Sequence, residues 1–177
     1  MLLKANTPIT PHSRTAKIIH WGFILVFAYA LTKQLDAVDQ LADAALLRFE
    51  MVFALIFLAL LAARYFYMRN TRPSAIPEDA PILLKRLASL GHLAIYGSLA
   101  AIALSGMLIG TFYWLGFTDG LLIEIAVWLH EVSVSASYIC IAIHVGAALF
   151  HRLMGDGIWS AMVPIFTETP KTVDPQN

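Results

Sequence analysis

Long apolar runs alternate with short polar segments along the chain. The first run lies between Lys17 and Lys33, and the third, from Leu87 to Thr118, contains no charged residue. A run of about 20 apolar residues is long enough to cross the hydrocarbon core of a membrane as an α-helix. The pattern therefore predicts an all-α membrane protein, a four-helix transmembrane bundle with helices at about 16–33, 44–68, 87–115 and 121–153.

The polar segments have the composition of loops and tails. The stretch QLDAVDQLADAALLRFE is acidic, and RNTRPSAIPEDAPILLKR contains three prolines, which interrupt helices. We predict an N-terminal tail at 1–15, a transmembrane domain at 16–154 and a C-terminal tail at 155–177. The N-terminal tail has no small-residue cleavage pattern after a short apolar core, so we expect it to be retained rather than removed as a signal peptide.

The composition supports a membrane protein. Hydrophobic residues make up 59% of the chain and charged residues 14%, whereas a soluble domain is about half apolar and about a quarter charged. The net charge of zero gives no indication of nucleic-acid binding. The single cysteine, Cys140, excludes an internal disulfide and is interpreted as a packing residue.

The basic residues predict which side of the membrane each connection faces, because lysine and arginine are enriched in cytoplasmic loops. They precede the first run and surround the connection between the second and third, whereas the other two connections are mainly acidic, with Lys33 as the exception. We therefore expect a bacterial inner-membrane protein with both termini in the cytoplasm. The basic set is Lys4, Arg14, Lys17, Arg64, Arg69, Arg72, Lys85 and Arg86, and the acidic set is Asp36, Asp39, Asp43, Asp119 and Glu124.

Histidines inside the apolar runs are the candidates for chemistry, because an ionisable residue within a membrane span usually serves a function. His130 and His144 are fourteen residues apart, so on one helix they point in nearly the same direction at depths roughly 21 Å apart. Such a pair suggests axial ligands for two cofactors, and haem iron is commonly bound by histidine. In the predicted orientation His20 lies at the cytoplasmic level of His144, so these two side chains are candidates for holding one haem.

The level of His130 has no second histidine. The residues at a similar depth are Glu50 and Met51 in the second run and Met107 in the third. Methionine is an axial ligand in cytochromes c. His92 lies near the inner level and is interpreted as a neighbour of a haem rather than as its ligand.

Simpler roles are open for each of these residues. His20 and His144 would then be hydrogen-bonded within the bundle, and His130 would be an interfacial histidine paired with Glu131 or Glu50. Arg64 either pairs with a haem propionate or extends to the membrane surface. No role is predicted for His12.

The sequence resembles the bacterial cytochrome b561 family, four-helix membrane cytochromes related to the b-type subunits of nickel–iron hydrogenases. The similarity extends over nearly the whole chain, through IIHWGFIL, LLAARYFYMR, SLGHLAIYGSLAAIALSGMLIG, WLHEVSVSASYICIAIHVGAALFHR and GDGIWSAMVP. Members typically bind two b haems. The resemblance implies that His20 and His144 are the axial ligands of the cytoplasmic-side haem and that His130 is one ligand of the periplasmic-side haem.

The chain departs from the family pattern at the second ligand of the outer haem. The family has a histidine fourteen residues before the arginine that closes the second span, and here that position is Glu50. Three arrangements are then open: no outer haem, a five-coordinate haem on His130, or a substitute ligand such as Met51.

The resemblance also implies a function. Characterised members transfer electrons between a periplasmic donor, superoxide in one case, and membrane ubiquinone, and His151 and Arg152 lie in the region that resembles the quinone site. His151 is open as a quinone donor or as a headgroup-level histidine. Two other functions are carried as alternatives: a haem-bearing membrane anchor for a periplasmic dehydrogenase or cytochrome, and a haem-free transporter or assembly factor.

Overall fold

The computed structural model describes residues 11–35, 37–71, 76 and 80–168. Among them the chain forms helices and loops and no strand, which confirms the all-α prediction. The predictions that concern residues 1–10, Asp36, 72–75, 77–79 and 169–177 lie outside the described residues. The helices are α1 (Arg14–Leu31), α2 (Ala44–Thr71), α3 (Ile82–Trp114), α4 (Leu121–Met154) and the short α5 (Ile158–Met162), with a 3₁₀ helix at Val38–Ala42.

Three helices, α2, α3 and α4, are long and apolar enough to cross a membrane. The first helix is not among them. Its 18 residues include Arg14 and Lys17 in the first turns, and at 1.5 Å per residue it measures about 27 Å, against a hydrocarbon core of about 30 Å. The structure therefore supports a multi-pass helical membrane protein with three span-capable helices, and a fourth span by α1 remains a prediction.

Two helix ends differ by three or more residues from the expectation drawn from the apolar runs: α2 continues to Thr71 instead of ending near residue 68, and α3 begins before residue 87. α3 begins at Ile82, directly after Pro81, so the residues ILLKR that were assigned to the loop are helical. Proline is compatible with the start of a helix because the first N–H groups have no intrahelical partner. Beyond α4, Gly155 and Gly157 adopt positive φ values of 63° and 89° and reverse the chain into α5.

The four long helices alternate in direction, and α3 packs against both α2 and α4. Ser105 of α3 and Ser133 and Ser137 of α4 are buried. Each donates a hydrogen bond from its hydroxyl to a carbonyl in the preceding turn of its own helix. Small residues of this kind let transmembrane helices approach closely.

The two ends of the bundle are distinct. At the terminal end, where α1 begins and α4 ends, Ser13 Oγ lies 3.4 Å from Tyr67 Oη of α2. At the loop end, the 3₁₀ helix packs through Leu41 against Ile109 of α3 and Ala126 of α4. In the predicted orientation the terminal end faces the cytoplasm.

Candidate functional site

Three histidines from three helices meet near the terminal end. The rings of His92 in α3 and His144 in α4 are in edge contact, with centroids 5.1 Å apart and planes at 66°. Both lie near enough to His20 of α1 to interact with it electrostatically. The fold thus brings His20 and His144, the two predicted inner ligands, into one cluster together with His92.

Arg64 of α2 lies inside this cluster. Its side chain is buried, at 9% exposure, and its Nη2 lies 2.5 Å from Nδ1 of His20. The guanidinium carbon stands over the rings of Phe23 and Tyr96, 5.4 and 5.3 Å from their centroids. The arginine therefore points into the bundle, which excludes the alternative in which it extends to the membrane surface.

Hydrogen-bond chemistry assigns the proton positions on two of these rings. A guanidinium only donates hydrogen bonds, so Nδ1 of His20 accepts from Arg64 and the ring proton is on Nε2. His92 Nδ1 lies 2.9 Å from the carbonyl oxygen of Ala88. That oxygen only accepts, so His92 carries its proton on Nδ1.

The terminal segments cover this end of the bundle. The backbone N–H of His12 donates to the carbonyl oxygen of Ala161, and Lys17 Nζ donates to the carbonyl oxygen of Ser160. Burial, with contributions from nearby Lys17 and His92, lowers the pKa of His12. His12, for which the sequence predicted no role, therefore lies close to the histidine cluster.

His151 lies in the last turn of α4 and is hydrogen-bonded to the segment that follows the helix. Its Nδ1 lies 2.6 Å from Oδ2 of Asp156, and the other oxygen of that carboxylate accepts from the Ile158 N–H at the start of α5. His151 is thus tied to the C-terminal segment by an acidic partner five residues away.

His130 lies on α4 nearer the loop end and is held by α3. Its Nδ1 is 3.0 Å from Ser105 Oγ, and its Cε1 would be 3.4 Å from a Cβ built on Gly106. One turn further along α3, a Cβ on Gly110 would lie 2.9 Å from Cγ of Met51. The recesses at both glycines are therefore filled by side chains of the protein.

Glu50, the residue at the position of the family's histidine, is half-buried at the start of α2. No hydrogen bond or ion pair to its carboxylate occurs in the part of the chain that the structure describes. On the loop-end surface, an open cleft of about 410 Å³ is bordered by the acidic side chains of Asp119, Glu124 and Glu131.

A comparison with protein families decides what this histidine-bearing bundle is. The family model described as prokaryotic cytochrome b561 matches residues 11–164, which include all five α-helices. The chain belongs to the prokaryotic cytochrome b561 family. It is therefore a transmembrane b-type cytochrome that functions in electron transfer and binds haem b. No curated protein and no solved structure matches the chain significantly.

The residues at the terminal end of this cytochrome fit a haem. The cluster supplies imidazoles from α1, α3 and α4, the donor type that binds haem iron. The buried Nε of Arg64 has no hydrogen-bond partner among the residues that the structure describes, which indicates room for a further acceptor. Gly22, Gly91, Gly97 and Gly146, near these histidines in the chain, have open space where a Cβ would stand.

The residues nearer the loop end do not fit a second haem in the same way. His130 is the one histidine there among the described residues, and the recesses at Gly106 and Gly110 are occupied by His130 and Met51. Among the described residues, the buried side-chain nitrogen and oxygen atoms without a hydrogen-bond partner belong to Arg64 and Glu168, and neither residue lies at this level. In this structure the outer level is packed by the chain itself.

Sequence reasoning missed three features of the site: the contact of Arg64 with His20, the contact of Ser105 with His130, and the location of His12 near the histidine cluster. An arginine within an apolar run was a usable signal for the first of these. The other two depend on helix–helix packing and on the return of the C-terminal segment, for which a single sequence has no comparable signal.

Proposed function

We propose that the cytochrome holds one haem b at its terminal end through His20 and His144 and relays electrons within a bacterial inner membrane. The observation that carries this proposal is the convergence of α1 and α4 imidazoles beside a buried arginine with an unpaired donor. His92, the third imidazole, is exposed and bonded to its own helix, which favours a neighbouring role over ligation.

Each residue has a defined part in this proposal. Haem b, when bound, supplies one-electron exchange between ferric and ferrous iron. His20 and His144 would both ligate the iron, and a haem held in this way would have no position open to oxygen. Phe23, with Phe57 and Leu61 of α2, forms part of a buried apolar cluster that excludes water from one side of the site.

We propose membrane ubiquinone as the redox partner at the cytoplasmic side. A quinone takes up protons when it is reduced, so its site needs a proton-bearing group near the membrane surface. His151, hydrogen-bonded to Asp156 at the end of α4, is such a group. The electron donor in this proposal acts from the periplasmic side, with superoxide as the small-molecule candidate.

A membrane anchor for a periplasmic redox protein is the second candidate function. The acidic cleft bordered by Asp119, Glu124 and Glu131 favours it, because negative charge attracts a basic protein partner and repels the superoxide anion.

The haem stoichiometry tests the proposed site. We expect a pyridine haemochrome assay on the purified protein to give one haem b per chain, and we expect the reduced protein to show no spectral change with carbon monoxide. Two haems per chain would contradict the proposal that side chains of the protein fill the space around His130. A carbon monoxide spectrum would show a five-coordinate iron, and a protein without a Soret band would refute haem binding altogether.

The salt dependence of reduction separates the two functions. If a basic periplasmic protein docks at the acidic cleft, its rate of reducing the cytochrome falls as ionic strength rises, because salt screens the attraction. Reduction by superoxide instead becomes faster with salt, because screening weakens the repulsion. The charge-neutralising double variant Asp119→Asn/Glu124→Gln is expected to slow the protein donor and accelerate superoxide, and an unchanged rate with both donors would contradict a role for the cleft.

A further inference from the structure

We propose that Arg64 binds a carboxylate of the haem, and that this carboxylate takes the place of His20 as the arginine's hydrogen-bond partner when the iron is ligated. The inference rests on the proposed ligation by His20 and His144. It assigns to Arg64 the recognition of an anionic group of the cofactor.

The buried guanidinium of Arg64 carries a positive charge that no described carboxylate balances. A buried charge is strongly unfavourable unless it is paired and hydrogen-bonded. Arg64 is 9% exposed, and none of the described acidic residues forms an ion pair with it. Its neighbours are the rings of Phe23 and Tyr96 and the neutral His20, so an opposite charge is missing from its surroundings.

Iron ligation by His20 changes which of its ring nitrogens can accept a hydrogen bond from Arg64. With Arg64 donating to Nδ1, the proton of a neutral His20 is on Nε2, and neither nitrogen is available to a metal. Ligation through Nε2 moves the proton to Nδ1, which then no longer accepts from a guanidinium. Ligation through Nδ1 uses the atom that Arg64 occupies. In both cases a neutral His20 that binds iron releases Arg64.

The release of His20 leaves one edge of the Arg64 guanidinium free to bind a carboxylate. In a guanidinium, Nε–H and one N–H of Nη2 lie on the same edge, with the spacing of the two oxygens of a carboxylate. Nε is buried and has no partner in the described part of the chain, and Nη2 is the atom bound to His20. Release of His20 therefore frees a complete bidentate edge, and the haem has carboxylates on its propionate side chains.

Infrared spectroscopy on the purified cytochrome tests the contact directly. Haem carrying ¹³C in its propionate carboxylates is incorporated during expression, and redox-difference spectra are compared among wild type, Arg64→Lys, Arg64→Gln and Arg69→Gln. Arg69 is five residues further along α2, exposed and bonded to Tyr65, and serves as the matched control. We expect the labelled carboxylate bands to shift in both Arg64 variants and to stay in place in Arg69→Gln.

The rate of haem transfer to excess apomyoglobin gives a second measurement. Loss of a charge-assisted bidentate contact is expected to accelerate haem release from Arg64→Gln by at least about tenfold. Arg64→Lys, which keeps the charge without the bidentate edge, is expected to fall between wild type and Arg64→Gln, and it supplies the infrared result if Arg64→Gln does not assemble. The midpoint potential of Arg64→Gln is expected to fall, because a positive charge beside the haem favours the ferrous state.

Three outcomes would overturn the proposal. Labelled bands that do not shift in either Arg64 variant would show that no propionate contacts the arginine. A shift confined to lipid phosphate bands would assign Arg64 to an anionic headgroup. A midpoint potential that rises in Arg64→Gln would indicate that Arg64 stays on an anionic His20 imidazolate. The proposed ligation is tested separately, since His20→Ala removes the haem whether or not Arg64 binds a propionate.

Discussion

Replacing His20 or His144 by alanine is expected to remove the haem from the purified cytochrome. Each substitution deletes one of two proposed iron ligands, and loss of groups that merely orient a metal ligand already weakens metal affinity by about 10- to 100-fold. Removing a ligand should weaken haem binding by at least about 100-fold on that scale. The Soret absorbance per chain, measured after purification in detergent, should fall close to background in both variants.

Two alanine variants serve as controls for this result. His151 lies seven residues beyond His144 on α4 and is paired with Asp156, so His151→Ala should retain the pigment. His92→Ala should also retain it, because His92 is proposed as a neighbour. If His92→Ala lost the haem while His20→Ala kept it, the ligands would be His92 and His144. If His20→Ala and His144→Ala both kept the wild-type spectrum, the proposed site would be wrong.

Chemical rescue would establish ligation rather than a structural role. His20→Gly leaves a space of imidazole size beside Arg64, and added imidazole should restore a low-spin b-type spectrum. A histidine that mattered only for helix packing would not be replaced by a free imidazole.

The helices were predictable because an apolar run of membrane length has few alternatives. The third run predicted a helix that ends near residue 115, and the structure ends α3 at Trp114, with Gly116 at a φ of 87°. α1 was less predictable. Its apolar segment is preceded by Arg14 and Lys17, and composition alone does not determine whether such a short helix spans the membrane or ends within it.

The levels of the histidines along their helices were predicted from the rise of an α-helix, but their side-chain contacts were not. An arginine at the depth of Arg64 can reach the membrane surface or turn inward, and its position in the sequence is the same in both cases. Packing determines the outcome: Phe23 and Tyr96 face the guanidinium from α1 and α3. Likewise Met51 and His130 occupy the recesses at Gly110 and Gly106. The positions of these residues in the sequence do not indicate either contact.

If haem binds only at the level of His20 and His144, as proposed, an electron from a periplasmic donor has a long distance to cross. His130 and His144 are fourteen residues apart on one helix, roughly 21 Å along its axis. Because the rate of electron tunnelling falls steeply with distance, a donor at the periplasmic surface would reduce a haem at the His144 level slowly. A second haem at the His130 level would divide this distance into shorter steps.

Glu50→His is therefore expected to raise the haem content from one to two per chain. The substitution places an imidazole at the start of α2, at a depth similar to that of His130. Ser105 already holds Nδ1 of His130, so Nε2 of that ring is available to iron. Met51 is an unbranched, adaptable side chain, so we expect it to move away from Gly110 when a haem binds there.

Stoichiometry, potentiometry and kinetics check this expectation together. The pyridine haemochrome value should double, redox titration should show a second transition, and reduction by a membrane-impermeant donor on the periplasmic side of proteoliposomes should become faster. Glu50→Gln removes the same charge without adding a ligand and should remain at one haem. The double variant Glu50→His/His130→Ala should also return to one haem, because a single imidazole would be left at that level. If Glu50→His stayed at one haem while folding normally, the packing of Met51 and His130, and not the missing ligand, would be what excludes a second haem.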